Sequence, residues 1–193
     1  NTPSIFDGKH YRFMQFAVLP STRQKQKMEN LGVHFLEYIP NNTFLVSISE
    51  NISKKKLESF RVNAIIPVKP EQKIHPKLQN GKTPDWAKDG DNAMLEVLLY
   101  KDVNLTLAFE AFKAKHYIIK EINTYAHSII LSFPISEIEK IGENSFVHFI
   151  TPIDPPSYPE NKSGRTLHRS NVINAEYTSG RHYNGEGINI MMQ

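Results

Sequence analysis

The chain has 193 residues, of which 39% are hydrophobic and 10% aromatic, so it holds enough apolar material for packed cores and wholesale disorder is not expected. It contains no cysteine, which excludes disulfides, a thiolate nucleophile and cysteine-ligated zinc. The formal charge of +3 comes from scattered acids and bases, and this gives little reason to expect a nucleic-acid or membrane surface as partner.

The first half of the chain predicts the element order β-α-β-β-α-β. A mixed aromatic and aliphatic strand is followed by a helix that begins at Ser21, where Gln24 completes a capping-box pattern. The turn Pro40-Asn41-Asn42 joins two further strands, and Ser53 can cap a short second helix before the last strand. The predicted strands are 10–19, 33–39, 43–48 and 64–68, and the predicted helices are 21–31 and 53–60.

The second half repeats this order. Asn104 is the predicted cap of an amphipathic helix, and Ser136 with Glu139 forms a second capping-box pattern. The predicted strands are 93–100, 117–124, 128–133 and 146–150. This order is the split βαβ, or ferredoxin-like, pattern, in which two helices lie on one face of an antiparallel sheet. We therefore predict an α+β fold with two tandem ferredoxin-like modules, residues 1–71 and 92–150.

Two segments are predicted to be linkers, the first because it is rich in proline, glycine and charge and the second because it is rich in proline. Residues 72–91 separate the two modules, and their Trp86 is expected to pack the linker on one of them. Residues 151–163 follow the second module and contain four prolines, which favour an extended and exposed backbone.

The last segment, residues 164–193, starts polar and becomes apolar at Ile188. Its final residues, 183–193 (YNGEGINIMMQ), predict a tight turn that leads into a buried strand. This stretch resembles the entry to the catalytic domain of subtilisin-like (S8 family) serine peptidases, where such a turn leads into the strand that delivers the catalytic Asp. By this resemblance, the chain stops just before that Asp.

The upstream part is also similar to this family, whose prodomains have a β-α-β-β-α-β fold. Residues 31–32 (LG), 38–42 (YIPNN) and 44–46 (FLV) look like N-terminal regions of secreted peptidases from Bacteroidota. Two modules stand here where the family usually has one, which leaves open which module inhibits. The resemblance implies a non-catalytic pro-region that assists folding of the parent endopeptidase, inhibits it, or does both.

The resemblance also implies where the chemistry and the partners lie. The Ser, His and Asp that hydrolyse the peptide bond would all follow Gln193, so no catalytic, cofactor-binding or metal-binding residue is expected in this chain. Calcium is the cofactor implied for the parent catalytic domain. The expected partner is the chain's own catalytic domain, in cis or in trans after cleavage, with other cell-surface proteins as further partners. The implied location is secreted or on the bacterial outer membrane or cell surface, and no transmembrane segment is expected.

Two short stretches are the candidate contacts with the peptidase. A prodomain inhibits by laying its C-terminal tail through the substrate cleft as an extra strand. The candidate tail is Thr151, Pro152, Ile153, Asp154, Pro155, Pro156 and Ser157. The candidate processing region is Lys162, Ser163, Gly164 and Arg165.

Three other functions compete with this interpretation. An enzymatic role for the chain itself is disfavoured, because it has no Gly-x-Ser-x-Gly elbow and its histidines are dispersed. RNA binding through sheet aromatics is disfavoured because the third strands lack the RRM signature, so Tyr11, Phe13, Phe16 and Phe44 are expected to serve packing. The main alternative is a tandem protein-binding module of an exported or cell-surface protein with no peptidase activity.

Overall fold

The computed structural model describes residues 5–156 of the chain. Both halves of this range belong to one compact unit that ends at Pro155. It contains two antiparallel sheets and four short α-helices, which confirms the α+β class.

The first sheet is built from the strands β1 (Lys9–Phe16), β2 (Val33–Ile39), β3 (Thr43–Ser49) and β4 (Val62–Pro67), in the order β2-β3-β1-β4. Helix α1 (Thr22–Glu29) joins β1 to β2, and helix α2 (Lys54–Glu58) joins β3 to β4. The side chain of Ser21 accepts a hydrogen bond from the backbone of Gln24 and the reciprocal bond is present, so the predicted capping box is confirmed. The turn at Asn41 and Asn42 is left-handed at both residues (φ 66° and 54°), which fits a tight hairpin between β2 and β3.

The second sheet contains the short β5 (Lys88–Asp89) and the strands β6 (Asn92–Leu99), β7 (Ile118–Asn123), β8 (Ser128–Pro134) and β9 (Val147–Pro152). Its order is β5-β6-β8-β7, and β9 also pairs with β6. Helix α3 (Leu105–Ala114) follows β6, and helix α4 (Glu139–Gly142) precedes β9. Asn104 caps α3 as predicted, since its Oδ1 accepts from the backbone N of Thr106 and Leu107.

The capping box expected at Ser136 and Glu139 is wrong. Pro134 is followed at once by a 3₁₀ turn at Ile135–Glu137, so Ser136 lies inside that turn and α4 has Ile138 as its N-cap residue. A proline-fixed φ just upstream starts the helical turn early and leaves no extended position for a capping serine.

Each sheet packs its helices on one face. In the first sheet, Met28 of α1 and Leu57 of α2 share a core with alternate residues of β1 and β3. In the second sheet, Phe112 of α3 and Ile141 of α4 pack on alternate residues of β6 and β8. In the first core the buried residues of β1 and β3 are Met14, Phe16, Phe44, Val46 and Ile48, and in the second those of β6 and β8 are Ala93, Leu95, Val97, Leu99, Ile129, Leu131 and Phe133.

The opposite face of the first sheet is packed against the second half of the chain. Tyr11 of β1 and Leu45 of β3 belong to the core of the second sheet rather than to that of their own helices. Phe6, which precedes β1, also reaches across, with its ring 4.2 Å from that of Phe146. The first sheet therefore contributes residues to the core of the second sheet, which is the shared core, while its own helices cover a separate core on its other face.

The segment that connects the sheets is folded onto the second of them. It forms 3₁₀ turns at Pro70–Lys73, Pro76–Gly81 and Asp85–Ala87, and it buries Ile74, Leu78 and Ala87. The first turn lies so close to α4 that a Cβ on Gly142 would meet the backbone oxygen of Pro70 at 2.9 Å. Glycine is required there because any side chain would push the two segments apart.

Candidate functional site

The end of β9 and the residues that follow it form the first part of the candidate site. Thr151 and Pro152 complete β9 opposite Glu96 and Leu95, so the strand runs two residues beyond its predicted end. The backbone N of Ile153 donates to the carbonyl of Met94 at 3.2 Å. From Asp154 to Pro156 the chain is exposed, so the tail that a partner can contact begins at Asp154 within the described range.

Trp86 fixes the point at which this tail leaves the sheet. Its indole Nε1 donates a hydrogen bond of 3.1 Å to the carbonyl of Ile153, and the ammonium of Lys77 lies 5.4 Å from the ring centroid. Trp86 therefore links the connecting segment to the residue that follows β9. It also anchors the start of the tail, a role that the sequence did not indicate.

The second part of the candidate site is the face of the second sheet that lies opposite α3 and α4. Met94 and Leu98 of β6 alternate with the buried residues of that strand and are half-buried. Ile130 of β8 and Phe149 of β9 lie beside them on the same face. Polar residues lie between these apolar ones. Glu96 of β6 accepts a hydrogen bond of 2.6 Å from Ser128 of β8. It borders the strand that carries the tail.

On the first sheet, the face opposite α1 and α2 carries a polar contact between the two halves. We call this contact, formed by Lys9, Ser47 and Asp102, the polar lock. Asp102, which follows β6, accepts hydrogen bonds at its Oδ2 from Lys9 Nζ (3.0 Å) and from Ser47 Oγ (2.6 Å). Burial raises the pKa of Asp102, but the bonds from Ser47 and Lys9 outweigh this and hold that pKa below its usual value. The carboxylate is therefore charged and joins both central strands of the first sheet to the second half.

Two tyrosines stack beside this lock. The rings of Tyr11 and Tyr100 are 4.1 Å apart with an interplanar angle of 8°, and both residues are nearly fully buried. Burial raises the pKa of both phenols, and the charge of Asp102 raises that of Tyr11 further. Tyr11 is thus part of the contact between the sheets. Tyr11, Phe16 and Phe44 are all buried, as expected for packing rather than for base stacking.

A buried lysine lies in the connecting segment. Lys73 is 4% exposed, and its Nζ donates to the backbone carbonyl of Asn144 at 2.9 Å. Burial lowers the pKa of Lys73 to about 8, and the positive charge of Arg12 lowers it too. The ammonium is therefore costly to bury at neutral pH, a feature that the sequence of a charged linker does not reveal.

His148 lies at the junction of the two halves. Leu98 pairs with Phe149 and Leu99 pairs with Val147, so His148 is the extra residue of a β-bulge. The bulge directs its ring to within 5.0 Å of the Tyr100 ring centroid, and its Nε2 lies 3.7 Å from Glu37 Oε2 of β2. Burial lowers the pKa of His148, which Glu37 only partly offsets.

The remaining predicted site residues, Ser157 and the processing region Lys162, Ser163, Gly164 and Arg165, lie outside the described residues, as does the leader 164–193. Within residues 5–156, no group of three His, Asp or Glu side chains is placed to hold a metal ion. In that same range no helix has the length and apolar character needed to cross a membrane.

Comparison with known protein families gives a match over the first part of the chain. Residues 2–69 match a family described as a domain of unknown function (DUF8729). This range covers the strands and helices of the first sheet. No curated protein and no solved structure shows significant similarity to the chain.

Proposed function

We propose that this chain is the N-terminal pro-region of a secreted subtilisin-like serine endopeptidase and is itself non-catalytic. The observation that carries this proposal is the course of β9. This strand belongs to a sheet with helices on one face only, and it continues into the exposed, proline-containing tail Asp154–Pro156. A sheet face bordered by an extended tail is the arrangement that a prodomain uses to hold its peptidase.

The fold supports this assignment in its details. We infer that each half is a ferredoxin-like module. The order β2-β3-β1-β4 of the first sheet has the same succession as β7-β8-β6-β9 in the second, and adjacent strands are antiparallel in both. The two-residue β5 is then an addition to the second module. This order is the split βαβ arrangement.

The two modules take different roles in this proposal. The first module uses its sheet face, with Tyr11 and Leu45, to pack on the second. The second module keeps the face with Met94, Leu98 and Ile130 for the catalytic domain, and its tail enters the substrate cleft as an added strand. The prolines at 155 and 156 keep this tail extended before it binds, which reduces the entropy lost on binding.

The parent enzyme supplies all of the chemistry. A Ser nucleophile activated by His and oriented by Asp would lie beyond Gln193, and calcium would belong to that catalytic domain. The parent would be secreted or held at a bacterial cell surface of the Bacteroidota type. The partners in this proposal are the chain's own catalytic domain and, at the surface, other proteins.

Inhibition of the parent enzyme tests this function. Adding the full chain to the separately produced catalytic domain should suppress hydrolysis of a fluorogenic peptide at micromolar concentrations. Replacing Pro155 and Pro156 by Gly should weaken inhibition about tenfold, because the tail then loses its preset extended form. The control is Pro40→Gly, which changes an exposed proline in the β2–β3 turn. Undiminished hydrolysis at micromolar concentrations of the full chain would remove the inhibitor role.

A second function is favoured by a different surface. Ile118 and Ile122 of the edge strand β7 are about half exposed, and Tyr125 at the tip of the next turn is fully exposed. Such apolar side chains on a strand edge suit a protein-binding module of an exported protein without peptidase activity. In that case the chain would capture a partner through β7 and leave the hydrolysis assay unchanged.

A further inference from the structure

The connecting segment and the region around α4 enclose a groove that the proposed function does not use. This linker groove is lined by residues of the segments 71–81 and 135–139 and has a volume of ≈ 500 Å³. Its floor is apolar, because Ile74, Leu78 and Ile138 line it and belong to the shared core. It is the size of a pocket that holds a few residues of a ligand.

The walls of the linker groove are held in place on both sides. The backbone N of His75 donates to the carbonyl of Ile150 at 2.9 Å, which ties the connecting segment to β9. The backbone N of Ile135 donates to the carbonyl of Asp91 at 3.1 Å, which ties the other wall to the start of β6. The groove is therefore formed before any ligand arrives, so binding costs little reorganisation.

The charged residues that line the groove are acidic, and Lys69 lies beside one of them. Glu71 and Glu139 are the charged residues that line it, and both are exposed. Lys69 Nζ lies 4.0 Å from Glu71, and the two side chains are about two-thirds exposed. Lys140 pairs with Glu137, which lies outside the groove, at 2.8 Å. The lining of the groove thus offers two exposed carboxylates, one of which also lies beside Lys69.

The rim also offers groups that can pair with a peptide backbone. Gln72 and Asn80 are exposed, and their side-chain amides can donate hydrogen bonds. The Oε1 of Gln72 already accepts from the backbone N of Lys69 at 2.9 Å, so the NH2 group is the part of Gln72 that can pair with a ligand. Asn80 has a positive φ of 58°, and Gly81 follows it with a φ of 70°. Asparagine and glycine adopt this conformation more readily than other residues, so the two form a tight turn at the rim.

We infer that the linker groove binds an extended peptide in which Lys or Arg side chains flank an apolar one. The apolar side chain would lie on Ile74, Leu78 and Ile138. The cations would pair with Glu71 and Glu139 at the rim, and the backbone would pair with the amides. This inference does not depend on the proposed function, because it uses none of the residues of the tail and none on the face of the second sheet that lies opposite α3 and α4.

Calorimetric titration of the full chain at low salt tests the inference with acetyl-Arg-Leu-Lys-amide as the probe. Binding should be detectable below millimolar concentrations and should weaken about tenfold when Glu71→Gln and Glu139→Gln are combined. Added salt should weaken it in the same way, since the rim charges are exposed. Glu121→Gln is the control, because it removes one exposed charge from β7, away from the groove.

A bulky side chain at the rim gives an independent check. Ser136 is exposed and lines the groove, so Ser136→Trp should block the probe while the circular dichroism spectrum stays unchanged. Absence of binding by the wild-type chain at millimolar probe overturns the inference. It is equally overturned if acetyl-Glu-Leu-Glu-amide binds as well as the basic probe, or if the double Glu→Gln variant binds as tightly as the wild type.

Discussion

Replacing Tyr11 by Ala should destabilise the whole described unit by roughly 3–5 kcal/mol, the range typical of aromatic truncation in a core. Tyr11 is 2% exposed, and its ring stacks at 4.1 Å on Tyr100 of the other half. Its loss removes buried apolar area and leaves a cavity in the core that both sheets share. A domain has only about 5–15 kcal/mol of net stability, so this single change removes a large part of it.

Urea unfolding measures this effect in both halves at once. Trp86 is the only tryptophan in the chain and bonds to Ile153 beside the second sheet, so its fluorescence reports on that half, while circular dichroism follows both halves. Tyr11→Phe is the control, because it keeps the stacked ring and removes only the hydroxyl. Tyr11→Ala should lower the midpoint of both signals together. If the Trp86 midpoint does not move, the two sheets are stable independently and the shared core is wrong.

Replacing Lys73 by Met should change how stability depends on pH. The pKa of Lys73 is lowered to about 8 in the folded state, from an ordinary value of 10.5. Between these two values the unfolded chain binds more protons than the folded one, so the stability of the wild type rises with pH in that window. Below pH 8 both states are protonated and the cost of burying the charge is present in full. That cost is about 3 kcal/mol, by the usual conversion of a pKa shift.

The Met variant lacks this charge, so its stability relative to the wild type should be highest near pH 7 and should fall by about 3 kcal/mol towards pH 10. Its absolute gain at pH 7 is smaller than this, because Met cannot donate to the carbonyl of Asn144. Above pH 10 the ionisation of tyrosines in the unfolded state also lowers stability, since burial raises the pKa of Tyr11 and Tyr100 in the folded state.

Urea unfolding at a series of pH values, for wild type and variant side by side, gives this difference directly. Lys82→Met controls for the removal of one positive charge, because Lys82 is an exposed lysine of the same connecting segment. The burial of a charged Lys73 would be contradicted if the free energies of unfolding of wild type and Lys73→Met differed by the same amount from pH 7 to pH 10.

Local signals in the sequence predicted most of the elements. The capping residues Ser21 and Asn104, and the turn at Asn41-Asn42, act through contacts a few residues apart, so a short window of sequence contains their whole cause. The same local argument was wrong at Ser136, because this residue lies inside the 3₁₀ turn that follows Pro134 and so is not the N-cap residue of α4. The ends of several strands and helices differ from the predicted ones by a few residues.

Long-range packing could not be predicted in this way. Nothing in the strand pattern of β1 shows that Tyr11 packs on the second sheet or that Lys9 pairs with Asp102, which is distant in sequence. Lys73 is one of many charged residues in a proline-rich stretch, and its burial depends on how that stretch folds against α4. The prolines of the candidate tail predict an extended, exposed segment, and residues 154–156 are exposed. Only the structure shows that Thr151 and Pro152 belong to β9.

Sequencing the coding DNA immediately beyond the codon for Gln193 tests the central proposal most directly. The proposal predicts an Asp followed by Ser, Thr or Asp and then Gly, with the His and Ser motifs of a subtilisin-like peptidase further on. A stop codon, or a continuation without these motifs, would contradict the pro-region assignment and favour a tandem binding module.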